Sequence, residues 1–382
     1  MSRFGVLTGV VFLLFMAIGK VLFPFGDEPD FDRRIDRLYN HSALSNFIIS
    51  DVELQTSDGT CGLVADRNSL SVKVPIECME KNILTFYNRA SFTLLMIFPL
   101  LCIIIFRNAF YSLFGFYKSM SEDEWSRRLD AISLTLIFPS VIYLLGFFSR
   151  EVLTSVVSLF IFIFWGRRLI VILLISLIYY IDQGNAIPVA VFYSIFLFYE
   201  FLSRRTYSFS RIILLSLLLV SFSYFLGESI IVYFVHNFDI NKIEMLYQAA
   251  YLDGYSEKYS LILRPIITYI SLVFMTAEGI KSIFVLVIVS FFLLYFMGHM
   301  FTKKGRAVLN NRGDIVLPIV AGITTICLFS FTLPTHVYAK YYVFFVPFVI
   351  YATLFFYRKE FLATLFTNLT VMTFLSVLFG YI

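Results

Sequence analysis

Long apolar runs separated by short polar or basic links cover most of this chain. The first extends from about Phe4 to Phe23. Others follow at Ala90 to Phe106, Ala131 to Phe148, Glu151 to Trp165, Leu169 to Ile181, Pro188 to Leu202 and Ile212 to Val235. The last four are Ser282 to Phe301, Ile315 to Phe331, Tyr342 to Tyr357 and Phe361 to Gly380. Each run is near or slightly under the ~20 residues a helix needs to cross a bilayer. The pattern predicts an all-α fold, a polytopic membrane helical bundle of about eleven transmembrane helices, within one integral membrane domain over residues 1–382.

Composition agrees. The chain is 59% hydrophobic and 19% aromatic, with 46 Phe and 24 Tyr, and its mean hydropathy is +0.83. A soluble domain could not cover that much apolar surface with polar groups, whereas lipid accepts it once every spanning backbone is helical. The formal charge of +4 does not point to nucleic acid. Lys and Arg fall between apolar runs as topology signals and form no continuous basic face. Phe23, Pro24 and Phe25 follow the first run where small residues would mark a cleavage site, so it reads as a retained helix.

The basic residues also give an orientation. Arg3, Arg107, Lys118, Arg127, Arg128, Arg167, Arg168, Arg204, Arg205 and Arg211 fall on one side. So do Lys303, Lys304, Arg306, Arg312, Arg358 and Lys359. That side is taken as cytoplasmic, with the N-terminus; the C-terminus then lies outside. The extracytoplasmic surfaces are a small loop domain after the first helix (24–89), the turn at Ser149-Arg150, the turn from Asp182 to Ala186, the loop 236–281 and the link from Pro334 to Lys340. Leu261 to Ala277 is apolar enough to enter the membrane, yet a full crossing there would put Lys303, Lys304 and Arg306 outside. It reads as a re-entrant or interfacial segment begun by Pro265.

Of four cysteines, Cys102 and Cys327 lie inside apolar runs and read as small buried residues. Cys61 and Cys78 share the first outer segment, where a disulfide between them would be tolerated and would close a loop, as against two separate thiols. Asp58-Gly59 and the alternating Leu70 to Val74 predict a small outer hairpin there. The chain has no phosphate-cradling Gly-rich loop, no GxSxG elbow and no long cytoplasmic polar stretch to hold a nucleotide sugar. Any glycosyl donor should therefore arrive through the membrane.

Three outward clusters carry chemistry. Asp27, Glu28, Asp30 and Asp32 stand just after the first helix, with Arg33, Arg34 and Arg37 behind them. Carboxylates there offer a base for a sugar hydroxyl, and cations absorb the charge of a diphosphate leaving group. The same residues also suit a solvated helix start with i+3 and i+4 ion pairs. Arg150 and Glu151 join two apolar runs with almost no loop, after Phe138-Pro139-Ser140. Arg150 is suited to bind a phosphate bidentately with Glu151 orienting it, or else to snorkel beside Glu151. In Pro334 to Tyr342, His336, Lys340 and Tyr341 offer contacts to a sugar or diphosphate; Tyr341 and Tyr342 equally suit an interfacial aromatic belt. Glu228 and Glu278, with Arg264 and Lys281 as partners, read as structural ion pairs. His41, His236 and His299 show no metal spacing and read as structural.

These clusters carry a resemblance. The Asp-Glu motif after the first helix resembles the first-loop signature of GT-C glycosyltransferases, which use polyprenyl-linked donors. FPSVIYLLGFFSREVLTSVVSLFIFIF resembles the Pro-Ser then Ser-Lys/Arg-Glu/Asp segment of EpsG-like and Wzy-like polysaccharide polymerases, and AKYYVFFVPF their basic-Tyr-then-Pro helix start. The resemblance implies a bacterial inner-membrane enzyme of O-antigen, capsule or exopolysaccharide assembly, polymerising or transferring polyprenyl-diphosphate-linked saccharides outside. Asp27 or Glu28 would be the base or metal-adjacent carboxylate, and Arg150 and Lys340 would bind the diphosphate. The cofactor stays unassigned, with a divalent metal among the options. Membrane lipid and other polysaccharide-assembly proteins are the implied partners. Asn237 to Lys258 holds only Lys242 and Lys258 among its bases, which leaves polymerase and single-sugar transferase both open. A flippase for the lipid-linked saccharide, or a non-enzymatic component of a capsule complex, are the alternatives; no internal repeat marks the former.

Overall fold

The computed structural model describes residues 2–22, 94–113, 120–146, 150–204, 208–237, 260–274, 298, 302–333 and 339–380. Every regular element among them is an α- or 3-10 helix. Three helices are long and apolar enough to cross a membrane: α8 (Gln183–Ser203), the Phe209–Gly227 part of α9 (Phe209–Asn237) and α12 (Gly313–Thr332). They present large apolar side chains outward, among them Leu214, Leu217, Leu218 and Phe225. A soluble monomer does not expose such a surface without a partner, and lipid supplies one.

The chain forms two compact units, residues 1–186 with 358–382, and residues 187–357. The first contains α1 (Arg3–Leu22), α2 (Leu94–Ile105), α3 (Arg107–Leu113), α4 (Glu122–Leu136), α5 (Pro139–Gly146), α6 (Arg150–Ile163), α7 (Arg168–Ile181) and α14 (Lys359–Gly380). Side-chain and backbone contacts fix their directions. The Ser2 amide donates to the Ile105 carbonyl at 2.8 Å, so α1 starts where α2 ends and the two are antiparallel. A methyl on Gly5 would lie 2.7 Å from Ile104 Cγ2, which is why glycine stands at that close approach. Phe15 meets Phe374 with centroids 5.6 Å apart, and Phe138 meets Phe366 at 5.2 Å. Thr370 Oγ1 donates to the Ile137 carbonyl at 3.0 Å. Hence α1, α4 and α14 run the same way.

The apolar run expected from Ala131 begins earlier as a helix, at Glu122. Ser121 accepts from the Glu124 amide as N-cap, and Glu122, Asp123 and Glu124 complement the positive end of the helix dipole. The helix then breaks at Ile137-Phe138, because Pro139 has no N–H to continue the ladder, and resumes as α5. Arg128 Nη1 donates to the Trp165 carbonyl at 2.9 Å and caps the chain leaving α6. The end of α6 therefore lies beside α4, and Arg150, at its start, lies about 20 Å away along the helix. Asp182 closes the far end of α7: its Oδ1 accepts from the Gly184 amide and its Oδ2 from Asn185 Nδ2, both at 2.9 Å.

The second unit contains most of α8, then α9, a 3-10 turn (Leu261–Leu263), α10 (Arg264–Phe274), α11 (Lys303–Asn311), α12, a 3-10 segment (Ala339–Phe345) and α13 (Val346–Thr353). α9 and α12 pack through hydroxyls and glycine. Tyr199 bonds both Ser216 (2.7 Å) and Thr324 (3.3 Å); Ser223 donates to the Leu328 carbonyl at 3.0 Å and pairs with Thr332 at 2.9 Å; a methyl on Gly227 would meet Thr332 Oγ1 at 2.9 Å. Residue numbers rise together along this seam, so α9 and α12 are parallel. Pro265 is the second residue of α10, the place where proline fits a helix start.

Candidate functional site

Of the residues singled out in the sequence, Asp27, Glu28, Asp30, Asp32, Arg33, Arg34, Cys61, Cys78 and His336 lie outside the described residues. So do Glu278, Lys281 and the expected hairpin. Arg150 and Glu151 form the first turn of α6. α1 and α6 have opposite directions, so that turn shares one end of the first unit with the last turn of α1, which ends at Leu22.

In the second unit, Lys340 and Tyr341 sit in the 3-10 segment that follows the α12 end, both half-buried. Lys340 Nζ lies 5.3 Å from the Tyr341 ring centroid, a cation held over an aromatic face. Tyr342 departs from the belt reading. It is fully buried, and its hydroxyl has no hydrogen-bond partner. The Tyr269 hydroxyl is likewise buried and unpartnered, on α10, which packs against this 3-10 segment and α12. The segment is held down by Phe345, whose ring occupies the space over Gly322; a methyl there would come within 2.1 Å of it. Phe192 of α8 closes the other side, 5.0 Å from Phe344 and 5.3 Å from Phe348. The geometry thus fixes one cation and two phenols near one end of α12.

The opposite end of the first unit holds a constellation that the sequence reading passed over. Asp130 lies between two cations, with Arg107 Nη2 2.9 Å from its Oδ1 and Lys359 Nζ 3.1 Å from its Oδ2. The Arg107 contact is an ion pair without hydrogen-bond alignment, since Oδ1 accepts no hydrogen bond. Arg107 Nη1 donates to Ser126 at 2.7 Å and Nη2 to Ser2. Ser2 also accepts from the Gly5 amide at 3.1 Å and so caps α1. Trp125 Nε1 donates to the Arg107 carbonyl at 3.0 Å, and Lys359 Nζ sits 5.0 Å from the Phe4 ring centroid. In the sequence Arg107 and Lys359 read only as topology signals. Arg107 is buried and Lys359 half-buried, because Asp130 draws both inward. The signal was present: Asp130 is a carboxylate at the head of an apolar run, and such a group requires cations.

No protein-family model, curated protein or solved structure matches this chain. Chemistry at the site therefore rests on its own residues. Among the described residues no three His, Cys, Asp or Glu side chains gather as metal ligands. Cys102 and Cys327 are free and half-buried, more open than the sequence reading had them.

Proposed function

We propose that this chain is a multi-pass membrane protein of bacterial surface-polysaccharide assembly, with about eleven spans and a cytoplasmic N-terminus, acting on polyprenyl-diphosphate-linked saccharides at the outer face of the inner membrane. The observation that carries the reading is the sorting of cations in the first unit. Arg107, Arg128 and Lys359 gather at one end, with Ser2, whereas Arg150 stands at the other, the end where α1 finishes. A cation opposed to the positive-inside pattern calls for an anionic partner.

The parallel packing of α9 and α12 supports the topology as well. With Ser282 to Phe301 as one return crossing, parallel helices leave no room for a second full crossing at Leu261 to Ala277, in line with a re-entrant segment.

In this reading Asp27 or Glu28 takes the proton of an acceptor sugar hydroxyl. The acceptor oxygen bonds to the anomeric carbon of the donor as the bond from that carbon to the diphosphate oxygen breaks. Arg150 stabilises the leaving diphosphate, with Glu151, Arg33 and Arg34 as further contacts; Lys340, His336 and Tyr341 are separate candidates for the same role. In cells that make the polysaccharide, Asp27→Asn, Glu28→Gln and Arg150→Ala each abolish surface polymer at normal protein level. Normal polymer in all three defeats the proposal.

A further inference from the structure

We propose that Arg107 and Lys359, counterbalanced by Asp130, bind the phosphodiester of an anionic phospholipid at the Ser2 end of the first unit. The cluster holds two full cations against one carboxylate. Its Arg107 and Asp130 side chains are 9% and 10% exposed, so this pair is poorly screened by water, and the surplus positive charge falls on Lys359 at its edge. Protein groups leave part of the donor set unused. Arg107 Nε is buried and has no hydrogen-bond partner. Lys359 presents an ammonium with three donors, one of them committed to Asp130 Oδ2. At 35% exposure its side chain is the opening from the cluster to the surface.

Apolar surface on the helices that carry the cluster favours a lipid over a free anion. Leu7 and Val10 on α1, Phe106 at the end of α2 and Phe361 on α14 are all exposed, at 59%, 58%, 49% and 48%. Lys359 Nζ itself lies over the half-buried Phe4 ring of α1, so acyl chains attached to a bound phosphate would have apolar helix surface to lie on. Arg3 and Arg358 are exposed at the same helix starts and add to the attraction for an anionic leaflet. The inference needs the chain to be embedded in a membrane, but not the glycosyl chemistry. Failure of the Asp27, Glu28 and Arg150 variants to affect polymer would leave it standing.

The test uses the full-length protein in nanodiscs of phosphatidylcholine, with phosphatidylglycerol added in one arm and inorganic phosphate in another. Retained lipid is counted by native mass spectrometry and melting is followed in parallel. Phosphatidylglycerol is retained and raises the melting temperature, and inorganic phosphate does neither. Lys359→Gln weakens phosphatidylglycerol binding about fivefold, and Lys359→Arg keeps it. Asp130→Asn removes the competing carboxylate and strengthens binding by a similar factor, about fivefold. A purely structural cluster gives neither response. Asp130→Asn would then bind no better than wild type, and Lys359→Gln and Lys359→Arg would not differ; either result overturns the proposal. An equal response to inorganic phosphate overturns the lipid as its source. Should Asp130→Asn fail to fold, the comparison of Lys359→Gln with Lys359→Arg decides alone.

Discussion

The charged end of the first unit and the α9/α12 seam of the second solve one problem with different materials. Both hold helices together where water is scarce. At the first, a single carboxylate ties Arg107 and Lys359, and through Arg107 also Ser2 and Ser126, so four stretches of chain depend on one group. At the second, the hydroxyls of Ser216, Thr324 and Thr332 are already bonded to carbonyls four residues back in their own helices. Losing an interhelical partner therefore leaves little unsatisfied. Charge concentrates the energy of assembly in one place, and hydroxyls spread it along a seam.

That contrast ranks the expected effects. Asp130→Ala strands the buried Arg107 and leaves the half-buried Lys359 without its carboxylate, at a cost of about 3 kcal/mol; a melting temperature of the purified protein within a degree or two of wild type would show that the cluster holds nothing together. Next is Gly322→Ala, since the new methyl collides with the Phe345 ring. Overpacking of this kind costs about 1–3 kcal/mol, and under the proposed function displacement of the 3-10 segment also reduces polymer formation through Lys340 and Tyr341. Unfolding and activity assays on the same preparation separate the two effects.

Tyr342→Phe has the opposite sign. It removes a buried hydroxyl that has no partner and raises stability by about 1 kcal/mol. If the hydroxyl serves a substrate, activity falls while stability rises. Ser223→Ala gives the smallest change, about 0.6 kcal/mol, the usual worth of an interhelical hydrogen bond in a membrane protein. A loss as large as that of Asp130→Ala would erase the distinction between the two regions.

Much of the helix order was legible in the apolar runs, because a spanning segment must be long and apolar whatever it packs against. The break from Phe164 to Arg167 falls where the basic residues put it, whereas the turn expected from Asp182 to Ala186 shrinks to Asp182, because α8 already begins at Gln183. The early start at Glu122 was not foreseen, since its amphipathic turn lacks the continuous apolar character that the runs were read by; the Ser121 cap was the available sign. The Arg107, Asp130 and Lys359 cluster was hidden for another reason. Each residue abuts an apolar run and looks like ordinary flanking charge, and only the tertiary fold brings them to one carboxylate. The burial of Tyr342 was hidden similarly, because a tyrosine near a helix end looks the same in sequence whether it faces headgroups, a substrate or a packed interior.

Asp130 and Lys359 are 229 residues apart. All of the second unit is encoded between them. During synthesis, Arg107 and Asp130 emerge well before their third member and wait for it until α14 leaves the ribosome. The first unit is thus begun before the second and closed after it, and a chain truncated before residue 359 would make a second unit with every helix it has and a first unit lacking α14.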